Sequence, residues 1–330
     1  MPDTKVSALA EMSVPDFSDD IYIVDNTGPT SNKIGSDRLF GTLLPHICQG
    51  RLTLTSGTAV TTTNVTSTSV YFTPYKGDKI SIYDGTRWLM YTFTELTLAL
   101  GTLTSGLPYD VFIYDNAGTL TLELLAWTNG TTRATALVLQ NGIYCKTGAL
   151  TRRYLGTFYT ISTTETEDSE GGTTTQVGGK RFLWNYYNRV LRQNKVIDTA
   201  DTWTYNSATL RIANAATAPA NCLEFIVGVN EDPVRGHAIL TGNAKSSEAP
   251  LLAIGLDNTT AAGLSVTNQN VAVTGLDFTM SALYLDHIGI GYHTLRWLEA
   301  SRAGTSTFTG DAGEPAGAGR QSGLFGEIWG

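Results

Sequence analysis

Short apolar segments, cut at close intervals by turn-forming dipeptides, are the feature that most narrows what this chain can fold into. Lys79-Ile80-Ser81-Ile82-Tyr83 runs into Asp84-Gly85, and Arg87-Trp88-Leu89-Met90-Tyr91 runs out. Asp-Gly tolerates the positive φ angles of a type I′ turn, whose twist matches the flanking strands, so the spacing predicts a tight hairpin. A second hairpin, with a longer loop, is expected where Asp115-Asn116-Ala117-Gly118 separates Val111-Phe112-Ile113-Tyr114 from Leu120-Thr121-Leu122-Glu123-Leu124. Asn141-Gly142 marks a third, between Ala136-Leu137-Val138-Leu139 and Ile143-Tyr144-Cys145. Short strands joined in this way indicate an antiparallel sandwich or barrel.

Composition agrees. Charged residues make up only 16% of the 330, and Thr, Gly, Ser and Asn are abundant. Thr and aromatic side chains suit a pleated, half-buried surface, whereas long amphipathic helices need Ala, Leu, Glu and Lys in runs that barely occur. The formal net charge of -8 argues against nucleic acid as a partner, because phosphate neutralisation needs a basic face. Only a small basic excess stands out, around Arg181, Arg189, Arg192 and Lys195. No apolar run is long enough for a membrane span, so no membrane insertion is expected. The polar, acidic opening to Asp20 has no signal-peptide pattern. Cys48, Cys145 and Cys222 stand far apart without CxxC spacing, and read as free thiols of a chain folded in a reducing cytosol.

Along the chain, residues 1–50 carry too little apolar content for a core of their own and are expected to dock on something else. Ile21-Tyr22-Ile23-Val24 is their strand-like stretch, with Ile34 and Leu39-Phe40 as further apolar points. A β-sandwich domain is predicted over 51–160 and a second over 181–303. The fold class is therefore all-β: a short docking segment followed by two antiparallel sandwich or jelly-roll-like domains. Between the domains, 161–180 is nearly free of apolar residues and carries Glu165, Glu167, Asp168 and Glu170, so it reads as an exposed loop or linker. Residues 304–330 form a Gly-rich tail ending in an apolar hook. Leu324, Phe325, Ile328 and Trp329 of that hook are expected to pair as a strand on a neighbouring surface, in the same chain or another subunit, with a subunit interface as the assigned site.

The search for chemistry yields little. There is no G-x-S-x-G elbow and no dinucleotide or phosphate-loop fingerprint. His287 and His293 would share a face if they lay on one strand, but no third metal ligand accompanies them, and structural histidines are the simpler reading. Asp84, Asp110, Asp115, Asp257 and Asp286 sit at expected loop edges, where each reads first as a turn former or strand-end cap. Glycoside cleavage needs two carboxylates across a groove, and acids converging from different strands leave no trace in spacing, so a polysaccharide depolymerase stays open as an alternative. Trp184-Asn185-Tyr186-Tyr187-Asn188, with Trp88, Trp127, Trp203 and Trp297, could supply sugar-stacking platforms as in a carbohydrate-binding module; filling cores and interfaces is the simpler expectation. No catalytic residue, metal site or cofactor is assigned.

Several stretches do carry a resemblance. Met12-Ser13-Val14-Pro15, Asp19-Asp20-Ile21-Tyr22-Ile23-Val24-Asp25, Ser31-Asn32-Lys33-Ile34 and Leu39-Phe40 resemble the opening segment of bacteriophage tail and fibre proteins. Tyr71-Phe72-Thr73-Pro74-Tyr75-Lys76-Gly77-Asp78, Tyr83-Asp84-Gly85-Thr86, the run from Ala99 to Phe112 and Ala126-Trp127-Thr128-Asn129 are similar to stretches of phage and prophage structural proteins, in the same order. So are Thr151-Arg152-Arg153-Tyr154-Leu155-Gly156-Thr157-Phe158 and the run from Arg181 to Val190. The resemblance covers about residues 10–195 and is weaker through Trp297-Leu298-Glu299. It implies a non-enzymatic virion protein of the tail-fibre type, or alternatively a capsid head fibre or decoration protein. Such a protein is commonly a homotrimer and bound to other virion proteins through its N-terminus. It is able to contact a host surface glycan or receptor, and it marks no catalytic residue.

Overall fold

The computed structural model describes residues 20–24, 31–35, 44–243, 248–268, 277–311 and 321–330. The chain is all-β, with sheets packed face to face as sandwiches, and the one helical turn among the described residues is a 3-10 turn at Ala213–Ala215.

Residues of the first half build a sandwich around one core. Its larger sheet runs Thr132–Arg133, Thr119–Asn129, Pro108–Asn116, Ala149–Tyr159, Ile143–Lys146 and Leu137–Gln140, with Leu183–Asn185 added on Ala149–Tyr159. A three-stranded sheet (Gly50–Thr53, Ser69–Pro74, Leu96–Ala99) and the hairpin Lys79–Tyr83/Trp88–Thr92 cover it. Leu52, Val70, Phe72, Ile80, Val111, Ile113 and Phe158 fill the space between. The predicted hairpins form, with two differences at their turns. The pairs Asn116↔Thr119 and Gln140↔Ile143 leave two-residue loops, Ala117-Gly118 and Asn141-Gly142, in which every φ is positive as a type I′ turn requires. The first of these is thus tighter than expected. The Asp84-Gly85 loop is longer, spanning four residues, because Asp84 Oδ1 accepts the N–H groups of Thr86 (2.8 Å) and Arg87 (2.9 Å) and builds its own turn.

The second half packs an eight-stranded sheet on a six-stranded one. The first has the order Ala261–Asn268, Pro250–Leu256, Gly291–Ser301, Cys222–Val227, Gly178–Arg181, Thr166–Gly171, Val65–Ser67, with Arg211–Ile212 beside Gly291–Ser301. The second has the order Leu191–Ile197, Gly323–Trp329, Val234–Asn243, Ser306–Thr309, Trp203–Tyr205, with Asp277–Asp286 also on Val234–Asn243. Phe225, Leu240, Ile254, Trp297, Phe308 and Leu324 lie in the core they enclose. The halves interlock. Val65–Ser67 pairs into the eight-stranded sheet, and Phe112, Tyr154, Trp184 and Ile226 form a small core that spans both units.

The stretch expected to be an exposed linker is instead part of the sheet. Thr166–Gly171 and Gly178–Arg181 are strands, and Thr166, Asp168 and Ser169 are buried. The acids there meet the local basic cluster. Asp168 accepts from Arg181 Nη1 (2.9 Å) and Arg192 Nη2 (2.7 Å), Glu167 from Lys180 (2.9 Å), and Glu170 from Lys195 (2.7 Å). Pairing offsets the desolvation penalty that would otherwise keep such a segment in water.

The C-terminal hook does pair as a strand, within its own chain, which corrects the interface role expected of two of its residues. Gly323–Trp329 lies inside the six-stranded sheet, paired on one side with Leu191–Ile197 and on the other with Val234–Asn243 of the same chain. Strand alternation divides the four apolar residues. Leu324 and Ile328 are buried in the chain's own core and so cannot meet another subunit, whereas Phe325 and Trp329 face outward. Of the N-terminal docking residues, Ile21, Tyr22, Ile23 and Val24 lie on a strand, Asp20–Val24, paired with Ser31–Gly35, which holds Ile34; Leu39 and Phe40 lie outside the described residues.

Trp88, Trp127, Trp184, Trp203 and Trp297 are buried, as core-filling residues should be. Cys48, Cys145 and Cys222 are free and buried, and burial pushes their thiols up to about 11, 11 and 12 respectively, which keeps them protonated and inert.

Candidate functional site

Strand register brings together a polar cluster where the two halves meet. Cys222–Val227 and Gly291–Ser301 run antiparallel with Glu224 opposite Thr294, so Glu224, Tyr292, Thr294 and Arg296 share one face of the eight-stranded sheet. Asp257 follows the Pro250–Leu256 strand with φ at 60°, a left-handed conformation that Asp tolerates better than most residues. Its Oδ1 accepts the Thr294 N–H (2.7 Å) and its Oδ2 lies 2.8 Å from His293 Nδ1. The opposing wall comes from the first half. Gly130 O accepts the Tyr292 N–H at 2.8 Å. Gly291 permits that approach: its φ is +123°, and a Cβ there would stand 2.5 Å from Gly130 O. A cavity of about 420 Å³ results, walled by these residues together with Thr131 and Pro219.

Its two carboxyl groups are pushed in opposite directions. Burial raises the Glu224 pKa, against the pull of the Tyr292 hydroxyl, which donates to Oε2 at 2.5 Å, and of nearby Lys180. Burial would also raise Asp257, but the bonds from His293 and the Thr294 N–H outweigh it and hold that carboxyl below its ordinary value. Arg296 donates through Nε to Thr294 Oγ1 (3.2 Å) and makes no ion pair with a described residue. The pocket therefore presents a guanidinium whose Nη groups have no partner among the described residues, a carboxyl whose pKa is lowered and another whose pKa is raised.

A second surface is the outer face of the six-stranded sheet. Register lines up Leu191 with Trp329, Glu327 with Arg235 and Leu285, and Phe325 with His237 and Leu283. Leu191, Leu283, Leu285 and Trp329 are 47, 56, 68 and 41% exposed. Arg235 pairs with Glu327 at 3.6 Å, Lys195 with Glu170 at 2.7 Å, and the His237 ring nitrogen lies 2.8 Å from Ser281 Oγ. A groove of about 280 Å³ runs over Gly326 between these pairs.

No family model and no curated protein sequence matches this chain. Among solved structures, one of infectious bursal disease virus, Gx strain, matches over 89% of this chain and 76% of its own at 11% identity, with a TM-score of 0.28. An insecticidal delta-endotoxin of Bacillus thuringiensis matches over 96% and 60% at 9% identity, with a TM-score of 0.24. Scores this low establish neither a family nor a common fold.

The acids singled out in the sequence separate by role. Asp84, Asp115 and Asp286 cap turns, accepting from Thr86, Gly118 and His287 N–H groups, and Asp110 is buried in an ion pair with Arg133. Asp257 alone of the five lines the cavity. His287 lies in a loop while His293 is buried in a strand against Phe225, so the two do not form a pair on one strand. Sequence reading missed Glu224 because Leu223-Glu224-Phe225-Ile226-Val227 looks like a core strand. A lone Glu inside that run was the available signal.

Proposed function

We propose that this chain is a non-enzymatic bacteriophage virion structural protein of the tail-fibre or fibre-like type. It assembles with copies of itself, as a homotrimer, through the outer face of its six-stranded sheet. The observation that carries this reading is that one sheet face exposes two apolar pairs, Leu191 with Trp329 and Leu283 with Leu285, on either side of the Arg235–Glu327 ion pair, a mixed apolar and charged surface suited to a protein partner. The same face carries Lys195, Arg235 and His237 beside Glu170 and Glu327, so a second copy can answer each charge with its opposite. The phage assignment itself draws on the resemblance over residues 10–195, which also supports a docking role for the N-terminal segment. Most of the acids that a depolymerase reading would draw on are occupied as turn caps or ion-pair partners.

Light scattering on the full chain should give three times the 35.5 kDa chain mass, and the double variant Leu283→Lys/Leu285→Lys should give monomers with unchanged circular dichroism. A monomeric parent refutes the assembly. Immunogold labelling of particles should mark the tail; labelling confined to the capsid overturns the tail assignment in favour of a head fibre or decoration protein.

A further inference from the structure

The cavity between the halves has the make-up of a ligand site, and it lies apart from the proposed assembly face. Its sheet wall is built from side chains held in place by other bonds. The Tyr292 ring stacks on Tyr159 at 4.5 Å, Asp257 is fixed by Thr294 and His293, and Glu224 is only 8% exposed. Yet three groups in it keep unused hydrogen-bonding capacity. Glu224 Oε2 takes the Tyr292 hydroxyl, while Oε1 has no partner among the described residues. The Arg296 Nη groups have none either, and the exposed Thr131 hydroxyl at the opposite wall, which donates to Asn129 Oδ1 (3.3 Å), keeps its acceptor lone pairs. A volume of about 420 Å³ falls within the range of small-molecule sites.

Charge decides the class of ligand. The two charges of fixed sign facing the cavity, Arg296 and Asp257, are opposite, and the third group, Glu224, is a carboxyl whose pKa burial raises. An anion drawn to Arg296 would meet the Asp257 carboxylate, and a cation drawn to Asp257 would meet the guanidinium. A neutral ligand with adjacent hydroxyl groups satisfies both, donating to Asp257 and accepting from Arg296. The Tyr292 ring and Pro219 offer apolar surface for the C–H face of a sugar ring.

We propose that this cavity binds a neutral saccharide residue, with Asp257 and Arg296 engaging neighbouring hydroxyls and Glu224 Oε1 a third. This deepens the fibre reading, whose resemblance implies contact with a host surface glycan, and it is tested on the isolated chain, so it can fail without the virion assignment failing.

The test is an array of neutral hexose and N-acetylhexosamine oligosaccharides, with uronate-containing and sialylated ones as contrast, followed by calorimetry on a retained neutral oligosaccharide. Arg296→Gln removes the guanidinium, and Thr131→Trp adds bulk to the cavity from an exposed loop position. Both are expected to weaken binding by about tenfold or more, the loss typical of a charge-assisted hydrogen bond. Retention of no neutral oligosaccharide, or of acidic ones alone, overturns the proposal. So does parent-like affinity in Thr131→Trp, which decides the matter even where Arg296→Gln does not fold.

Discussion

Arg133 offers the sharpest test of how the halves are joined. It lies on the two-residue strand Thr132–Arg133, next to the loop that walls the cavity. Its guanidinium donates to Asp110 Oδ2 (2.8 Å) and Oδ1 (3.3 Å), to the Tyr154 hydroxyl (3.2 Å), and across the junction to Gly228 O (2.6 Å). It also lies 4.5 Å from the Trp127 ring centroid. Asp110 is 1% exposed, and without Arg133 its remaining side-chain partner is Thr157 Oγ1 at 2.7 Å. Arg133→Met keeps most of the apolar stem and removes the charge. Breaking a buried pair from one side typically costs 3–5 kcal/mol, because the surviving charge stays desolvated. Losing the bond to Gly228 O and the ring contact acts in the same direction without adding in full, so we expect about 4 kcal/mol in urea titrations followed by tryptophan fluorescence. Adding Asp110→Asn removes the stranded charge and should recover about 1–3 kcal/mol. A cost of Arg133→Met below about 1 kcal/mol, or no recovery on adding Asp110→Asn, would show that water reaches Asp110 and refute the reasoning.

Two pH-dependent outcomes follow from carboxyl groups shifted in opposite senses. Glu224 is raised by burial, so its contribution is fully present below the unfolded carboxyl pKa of about 4.3 and is lost as pH rises through its folded value. Glu224→Gln should therefore gain stability over the parent from pH 4 to pH 8 in calorimetric melts, and a gap that stays constant or shrinks contradicts the assignment. Asp198 is buried too, but bonds from the Ala200 N–H and the Asn214, Gln176 and Asn221 amides outweigh that and lower its pKa. Its stabilisation is present above about pH 4 and is lost on acidification. Asp198→Asn should cost about 2 kcal/mol at pH 7 and progressively less below pH 4 in urea titrations; an equal cost at both pH values would locate the acid sensitivity elsewhere.

How much of this was legible in the sequence depends on whether the cause is local. The hairpin at Asn141-Gly142 was readable because a turn dipeptide and its flanking alternation carry their own instructions, and the one over Asp115–Gly118 was readable as a hairpin although its loop closes two residues tighter, at Ala117-Gly118. The Asp84 loop was misjudged by two residues although its cause is local as well, the Asp84 carboxylate competing for nearby N–H groups. The C-terminal strand was recognised as a strand, but its partners lie more than eighty residues away. Whether Leu324 faces a subunit or the chain's own core was not something its neighbours in sequence could determine.

The buried acids make the wider point. Residues 162–180 look like a linker because polarity is read segment by segment, as if each charge had to find water. Asp168 finds Arg181 and Arg192 instead, both of which lie beyond the end of the stretch. Glu299 is fully buried in the middle of Trp297-Leu298-Glu299, held by the Trp203 Nε1–H at 2.6 Å and by Arg211 at 2.8 Å. In each case the partner is brought in by sheet register, so the charge is affordable only once the sheets have formed. A slip of one residue would turn these carboxylates to the opposite face and strand them. Paired charges buried in this way add little net stability, yet they penalise every wrong register heavily. For a fold of many short, Thr-rich strands, whose apolar patterns resemble one another, that penalty is a plausible physical reason for burying acids at all.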